Sequence, residues 1–427
     1  MVLDSHPQRR ELNDEVHARP AGELRAPAGI TYLAVLSPLA VRDEEWRRVC
    51  ELAASCGVAT PAERATHFSA DLGRFTLRFE RHGEFARYMF VAPTGGSDPF
   101  ERTALAAVPE AFLDGLPGRV MVAAHGAFLA DLAVAADYEA IAARWFDGNA
   151  LVGSEVGDEA AVALTDFRIR TDDYSRFLVL DRHTSPRQAG RIVQRVLEID
   201  TYRMMASLAL PIARDLTSFF AECERELSQV TGVLESPGDE DEARLLDRLT
   251  WLEAQIQTRA AETDYRFAAA AAYYGLVQRR IAELRERRIP GLQTFGEFTE
   301  RRLAPAMNTC RNAASRQEAL SRRVERANQL LATHVSITRE RQHQALLESL
   351  DRRGRAQLRL QQTVEGLSVA AITYYVVGLI GHVVAGLDAL GHRIPPELAM
   401  GLSIPVVAGL AAIAIRRIRH SIARTAD

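Results

Sequence analysis

The sequence predicts a cytoplasmic domain of the α+β or α/β class, followed by long antiparallel helices and a C-terminal two-helix transmembrane hairpin. Three observations predict this fold class. Short apolar runs with a period of two residues fill the first part of the chain, apolar residues spaced by three and four fill the middle, and two uncharged apolar runs follow. With 427 residues, the chain has room for two soluble units of ordinary size before the hairpin.

The N-terminal residues 1–27 are predicted to form a charged segment, which Pro20 and Pro27 interrupt. If residues 9–18 form one helix, Asp14 and His17 lie at positions i and i+3 on one face, where they are weak candidates for a metal site or a proton relay. The alternative, which we favour, is a solvated helix whose histidine and carboxylates pair with neighbouring arginines.

Residues 28–185 are predicted to form a mixed sheet with helices packed on it. In one run Phe75, Leu77 and Phe79 alternate with polar residues, which is the period of a half-buried antiparallel strand. An amphipathic helix is predicted over Arg42–Gly57. The predicted strands are Ile30–Ser37, Thr66–Leu72, Gly73–Arg81, Phe85–Ala92, Arg119–Ala124, Ala150–Val156, Val162–Arg170 and Phe177–Leu180.

The composition excludes several kinds of site. The chain contains no lysine, since all 52 of its basic residues are arginine, and this excludes a phosphate-loop lysine, a Schiff-base lysine and a kinase-type lysine. A net charge of -4 does not indicate a nucleic-acid partner. The four cysteines have no C-x-x-C spacing, which favours free thiols over a zinc site: Cys50, Cys56, Cys223 and Cys310.

No catalytic constellation is evident in residues 28–185. The turn Thr94–Asp98 lacks the glycine spacing of a phosphate loop, and the histidines are far apart in the sequence: His67, His82, His125 and His183. We therefore expect that the protein is not an enzyme and has no cofactor, although a divalent cation remains a candidate substrate or regulator.

Residues 186–363 are predicted to form long helices. The pair Ser185-Pro186 is a helix start, Pro211 marks a kink or a break, and a last helix is predicted to begin near Ala313. That helix carries apolar residues at a spacing that suits a coiled-coil-like seam: Leu320, Val324, Ala327, Leu331, Val335, Leu346 and Leu350.

The hairpin is predicted to comprise a first transmembrane helix over 364–387, an external loop over 388–397, a second transmembrane helix over 398–415 and a basic tail over 416–427. Gly366–Leu387 and Leu398–Ile415 carry no charge, and each is long enough to cross a bilayer core of roughly 30 Å. A pair of buried soluble helices is the alternative, but such helices usually keep a polar stripe.

Arginine placement predicts the orientation of the hairpin. Arginines cluster before the first span and after the second, whereas the connecting loop holds only Arg393. Positively charged flanks stay in the cytoplasm, so both termini are expected there, in a multi-pass protein of the bacterial inner membrane. Met1–Arg10 shows no signal-peptide pattern, which agrees.

Four segments, Glu11–Pro20, Glu198–Met205, Thr363–Ser368 and Ile372–Tyr375, resemble those of a bacterial family of unknown function, described as predicted membrane-anchored proteins. The resemblance covers essentially the whole chain. It implies membrane attachment, but no activity, cofactor or catalytic residue.

A weaker, architectural resemblance is to the CorA-type magnesium channels, in which a cytoplasmic α/β domain and a stalk helix lead into two spans. The sequence departs from them at the end of the first span, where Gly381–Gly386 stands in place of their Gly-Met-Asn triplet. The resemblance implies a homo-oligomer, by analogy a pentamer.

Two function classes follow from the sequence. In the first, the protein is an oligomeric cation channel or transporter, and a stripe of the first span lines a pore with Glu365, Ser368, Tyr375 and His382. In the second, it is a non-conducting membrane-anchored scaffold or sensor. Its partners are then the lipid bilayer and a ligand or protein on the cytoplasmic side.

Overall fold

The computed structural model describes residues 5–10, 13, 22–61, 65–95, 97–131, 137–234, 242–388 and 395–423. Two compact units divide the chain, Met1–Asn328 and Gln329–Asp427. The first unit combines a mixed sheet with long helices, and the second contains the C-terminal apolar helix pair.

Nine described strands form one sheet in the first unit. They are β1 (Ala28–Leu36), β2 (His67–Asp71), β3 (Thr76–Arg81), β4 (Phe85–Pro93), β5 (Arg119–Ala130), β6 (Val152–Val156), β7 (Ala161–Thr165), β8 (Ser175–Asp181) and β9 (Arg287–Arg288). Their order across the sheet is β2-β3-β4-β1-β5-β8-β7-β6-β9. Of the paired strands, β5 and β8 run parallel and the others antiparallel.

Three helices pack on the sheet and contribute to two apolar clusters. The helices α1 (Arg42–Ser55) and α2 (Glu110–Asp114) bury Val49, Leu52 and Phe112 against one cluster, in which Leu77 and Phe79 of β3 are completely buried. The helix α3 (Tyr138–Trp145) contributes to a second cluster over β7 and β8. The alternation read from Phe75, Leu77 and Phe79 is therefore confirmed.

The helices after the sheet are α4 (Pro186–Ser207), α5 (Ala209–Leu234), α6 (Glu242–Leu284), α7 (Phe295–Arg302), α8 (Ala304–Asp388) and α9 (Pro396–Ala423). Ser185 caps α4, since its hydroxyl oxygen accepts the N–H of Gln188 at 3.4 Å, and Pro186 occupies the first turn. The predicted helix start at Ser185-Pro186 is thus confirmed.

Polar side chains join α5, α6 and the first part of α8. Arg316 of α8 donates two hydrogen bonds to Glu224 of α5, at 2.9 and 2.7 Å. Gln257 of α6 donates to Ser321 of α8 at 3.0 Å. The apolar residues of the predicted seam that lie next to Arg316 and Ser321 on α8 are buried, among them Leu320 and Val324. This part of the chain is therefore a helical bundle.

Three features of the helical region differ from the sequence prediction. The last long helix begins at Ala304, not near Ala313, because Pro305 is tolerated in a first helical turn. The break falls at Leu208, before Pro211, which lies in the first turn of α5. The strand β9 lies between α6 and α7, where the sequence predicted helices, and it pairs with β6.

A capping box begins α7. The Thr294 hydroxyl oxygen accepts the Glu297 N–H at 3.1 Å, and the Glu297 carboxylate accepts the Thr294 N–H at 3.1 Å. We expect Thr294→Ala to destabilise this helix by about 1 kcal/mol, which amide hydrogen exchange at residues 295–298 would measure. Thr309→Ala is the matched control, because its hydroxyl donates to Pro305 O within α8 and caps no helix end. Equal protection in both variants would contradict the role of the cap.

The second unit contains the C-terminal part of α8 and the whole of α9. Among the described helices, these two are long and apolar enough to cross a membrane. Their most apolar windows of 18 residues are only 11% and 6% buried. Large apolar side chains such as Leu367 and Leu402 are therefore exposed along them. The predicted seam residues Leu346 and Leu350 are also exposed, so the coiled coil stays a prediction.

Candidate functional site

The four predicted pore-lining residues all lie on α8, in the part of this helix that belongs to the second unit. The Ser368 hydroxyl donates to the Val364 carbonyl oxygen at 2.8 Å, one turn earlier. Glu365 accepts a hydrogen bond from Gln361 Nε2 at 3.3 Å. Both polar groups therefore have partners on their own helix, without a second chain.

Tyr375 and His382 line a groove of about 680 Å³ in the apolar helix pair, whereas Glu365 and Ser368 are not among its lining residues. Met400 and Ile404 of α9 form its other wall. Gly381 lets the two helices approach, because a Cβ atom at this position would lie 2.6 Å from the Met400 sulfur. The structure thus brings together two of the four predicted residues and separates them from the other two.

The weak metal candidates Asp14 and His17 lie outside the described residues. Within the described ranges, no group of three or more His, Cys, Asp or Glu side chains could hold a metal ion. His125 is the most buried of the histidines named above: its Nδ1 lies 3.0 Å from the Thr31 hydroxyl, and its ring stacks on Tyr174 at 4.0 Å. Burial lowers the pKa of His125 to about 4, so it is neutral at neutral pH.

A buried charge cluster joins the sheet to α4 and α6. Arg87 of β4 donates to Glu198 Oε1 at 2.6 Å, and Arg280 of α6 donates to Glu198 Oε2 at 2.5 Å. Gln194, one turn before Glu198, donates to Oε1 at 2.7 Å. The Arg87 side chain also pairs with Glu80 of β3. Glu198 and Arg87 are 4% and 3% exposed, so these charges are almost completely removed from water.

Electrostatics keep this cluster ionised. Burial by itself would raise the pKa of Glu198, but the positive charges of Arg87 and Arg280 outweigh it and hold the pKa below its usual range. The neighbouring Tyr202 has its pKa raised to about 12 by burial and by the negative charge of Glu198. The cluster therefore holds a carboxylate between two guanidinium groups and a neutral phenol at its side.

The charge cluster stabilises the fold and offers no reactive group. Both oxygens of Glu198 accept hydrogen bonds, and Arg280 also donates to Glu283 at 2.9 Å. A nucleophile or a general base needs an accessible lone pair, and the bonded, buried Glu198 carboxylate does not offer one. The cluster instead fixes α4 and α6 against the sheet.

One protein family, described as Protein of unknown function (DUF3422), has a model that matches residues 4–422. The chain belongs to this family. The DUF3422 match spans the sheet, the Glu198 cluster and both apolar helices. The expectation of a family of unknown function is thereby confirmed.

Neither the curated proteins nor the solved structures give a match to this DUF3422 chain. The architectural resemblance to the CorA channels therefore receives no support from the comparisons. What the sequence did not reveal is the role of Glu198, although the segment Glu198–Met205 carried the family resemblance. The signal that could have identified it is a glutamate among the apolar positions Val196, Leu197 and Ile199 of a helix.

Proposed function

We propose that the protein is a membrane-anchored binding protein, a sensor or scaffold, in which the end of α8 together with α9 forms a bilayer-spanning hairpin. The observation that carries this proposal is the exposure of the two apolar windows, of which only 11% and 6% is buried. Exposed apolar surface of this extent is unfavourable in water and favourable in lipid, where the backbone of a helix is already hydrogen-bonded.

The arginines that flank the two helices support an orientation with both termini in the cytoplasm of a bacterial cell. Labelling of single cysteines tests it, after Cys50, Cys56, Cys223 and Cys310 have been replaced. A cysteine at Ala389 should react with an impermeant reagent from outside the cell. Outside labelling of a cysteine at Ser5 would contradict the orientation.

Membrane association itself is tested by alkaline carbonate extraction. The full chain should stay in the membrane pellet, and a chain that ends at Gln361 should move to the supernatant. If the full chain is extracted as readily as the shortened one, the anchor is excluded. Folding of both chains is checked by tryptophan fluorescence, since all three tryptophans precede Gln361.

A cation channel is the second candidate, because Tyr375 and His382 place polar groups within an apolar helix. In this function the first spans of a homo-oligomer, by analogy a pentamer, surround a pore with Glu365 at its inner mouth. Two observations favour the anchor instead. The Ser368 hydroxyl is bonded within its own helix, and Tyr375 and His382 lie beside α9.

Cation flux into liposomes separates the two functions. We expect wild-type flux at the level of empty liposomes, unchanged in Glu365→Gln and His382→Ala, because an anchor offers no aqueous path. A channel predicts a different result: Glu365→Gln lowers the flux by removing a ring of carboxylates, and His382→Ala changes it by removing a polar side chain from the pore wall. Flux above the empty-liposome level that follows this pattern would replace the anchor with the channel.

A further inference from the structure

A cavity of about 310 Å³ lies where β5 extends beyond β8, and we call it the β5 cavity. Strand β5 pairs with β1 from Arg119 onward, but its pairing with β8 begins only at Ala124. Among the described strands, none therefore pairs with residues 119–123 on the β8 side. The cavity occupies the place that an additional strand would take.

The end of β5 is irregular at the cavity. Val122 pairs with Ala34 and Val120 pairs with Val35, so Met121 is the additional residue of a β-bulge. The Ser175 hydroxyl donates to the Ala123 carbonyl oxygen at 3.2 Å, which shows that the Ala123 backbone points toward this side of the strand. A ligand here therefore meets the polar backbone edge of a strand as well as side chains.

An ion pair forms the polar wall of the cavity. Arg203 donates from Nε and Nη2 to Asp200 Oδ1, at 3.0 and 2.5 Å, and Asp200 is 3% exposed. The Arg203 guanidinium lies 5.1 Å from the ring centroid of Phe167, which holds it in place from the other side. The wall thus offers a donor and an acceptor side by side, with no net charge.

The other walls are apolar and firmly positioned. Phe167 has a φ angle of 52°, which a bulky side chain seldom adopts, and its ring stacks on Phe298 at 4.5 Å. Met121 and Met204 add adaptable apolar surface. At the rim, Val120 and Ile169 are 56% and 64% exposed. The lining can therefore accommodate an apolar group, and the cavity is open to solvent at its rim.

Charge decides between ligand classes. An anion would gain little from Arg203, whose charge Asp200 balances, and the rim carries the further carboxylate of Asp173. A neutral amide fits better, because it presents one donor and one acceptor. An extended peptide carries such amides at the spacing of a strand edge and an apolar side chain between them.

We propose that the β5 cavity binds an extended peptide segment, which adds a short strand to the open end of β5 and places an apolar side chain between Met121 and Met204. This names the partner of the first unit and rests on the proposed binding function. It does not depend on the hairpin, so carbonate extraction of the same preparation distinguishes a failure of the site from a failure of the anchor.

The test uses the full chain in lipid nanodiscs and a capped five-residue peptide of alternating valine and threonine. Amide hydrogen exchange at residues 119–124 should slow at least tenfold when the peptide is bound. The same peptide with proline at its centre lacks one backbone N–H and should bind at least tenfold more weakly. Hexanoate, a small apolar anion, should not displace the peptide.

Two variants tie the binding to the cavity. Met204→Trp fills the cavity and should weaken peptide binding at least tenfold. Ile169→Asp puts a charge at the apolar rim and should have the same effect, and because this side chain is exposed the change should not disturb folding. Leu246→Trp, at a position 37% exposed on α6, is the matched control and should bind as the wild type does. Any one of four results would overturn the proposal. These are no binding of the valine–threonine peptide, equal binding of the proline peptide, wild-type affinity in both cavity variants, and displacement of the peptide by hexanoate.

Discussion

Replacing Glu198 by alanine is expected to lower the free energy of unfolding by about 3–5 kcal/mol. The substitution leaves Arg87, which is 3% exposed, without its partner on α4, and Arg280 without its partner at 2.5 Å. Arg87 keeps its pair with Glu80 and Arg280 keeps its bond to Glu283, but each guanidinium loses one of its two carboxylates, so the desolvation cost stays while part of the compensating attraction is lost. Urea unfolding of the full chain in detergent, followed by tryptophan fluorescence, measures the change.

Glu224→Ala is the matched control for this prediction. Glu224 also accepts two hydrogen bonds from one arginine, Arg316, but both side chains are about one-third exposed. Water and salt screen such a pair, so the expected loss is at most about 1 kcal/mol. A loss of similar size in the two variants would mean that the Glu198 cluster does not hold α4 and α6 to the sheet.

The same cluster predicts a dependence of stability on pH. The folded-state pKa of Glu198 lies below its ordinary value of 4.5, so the unfolded chain binds a proton more readily than the folded chain. The contribution of Glu198 is therefore complete above about pH 4.5 and is lost as the pH falls through the lower folded-state pKa. In Glu198→Gln this part of the acid sensitivity should disappear, which urea unfolding between pH 3 and 6 would detect.

Replacing Val406 by arginine is expected to disfavour membrane insertion of α9 by about 3–4 kcal/mol, since Arg at the centre of a span costs about 3 kcal/mol and valine itself contributes favourably. Val406 lies in the middle of the second apolar run and is 60% exposed, so no buried contact explains the loss. Carbonate extraction should show the variant in the supernatant or degraded.

Val406→Leu is the control for this experiment, because it keeps the apolar character and should remain in the pellet. If the same fraction of the arginine and leucine variants stays in the pellet after carbonate extraction, α9 does not span the membrane. This result would leave the apolar pair as a surface-bound or protein-covered element.

The sequence predicts a strand correctly where apolar and polar residues alternate within the strand itself. Phe75, just before β3, and Leu77 and Phe79 within it mark the buried side of this segment within five residues, and the pattern needs no knowledge of the partner strand. The helix start at Ser185-Pro186 is likewise local, because capping depends on the first turn alone. The two apolar runs of the C-terminal helix pair are recognisable for the same reason.

The features that the sequence does not predict depend on distant partners. Glu198 meets Arg87 and Arg280 across separations of 111 and 82 residues, and although its apolar neighbours indicate burial, nothing in the sequence identifies these two arginines as its partners. Strand β9 consists of two arginines, whose pairing with Ser154 and Glu155 has no periodic signal. The β5 cavity requires both the sheet order and the position of α4.

The late position of β9 in the chain bears on how the protein folds during its synthesis. Arg288 leaves the ribosome 134 residues after Ser154, its partner on β6. At about 5–20 residues per second, the outer edge of β6 waits about 7–27 s for the strand that covers it. During this interval the unpaired hydrogen-bonding groups of Val152–Val156 are open to other nascent chains. Slow translation between residues 160 and 286 should therefore increase aggregation, which a chaperone that shields strand edges would relieve.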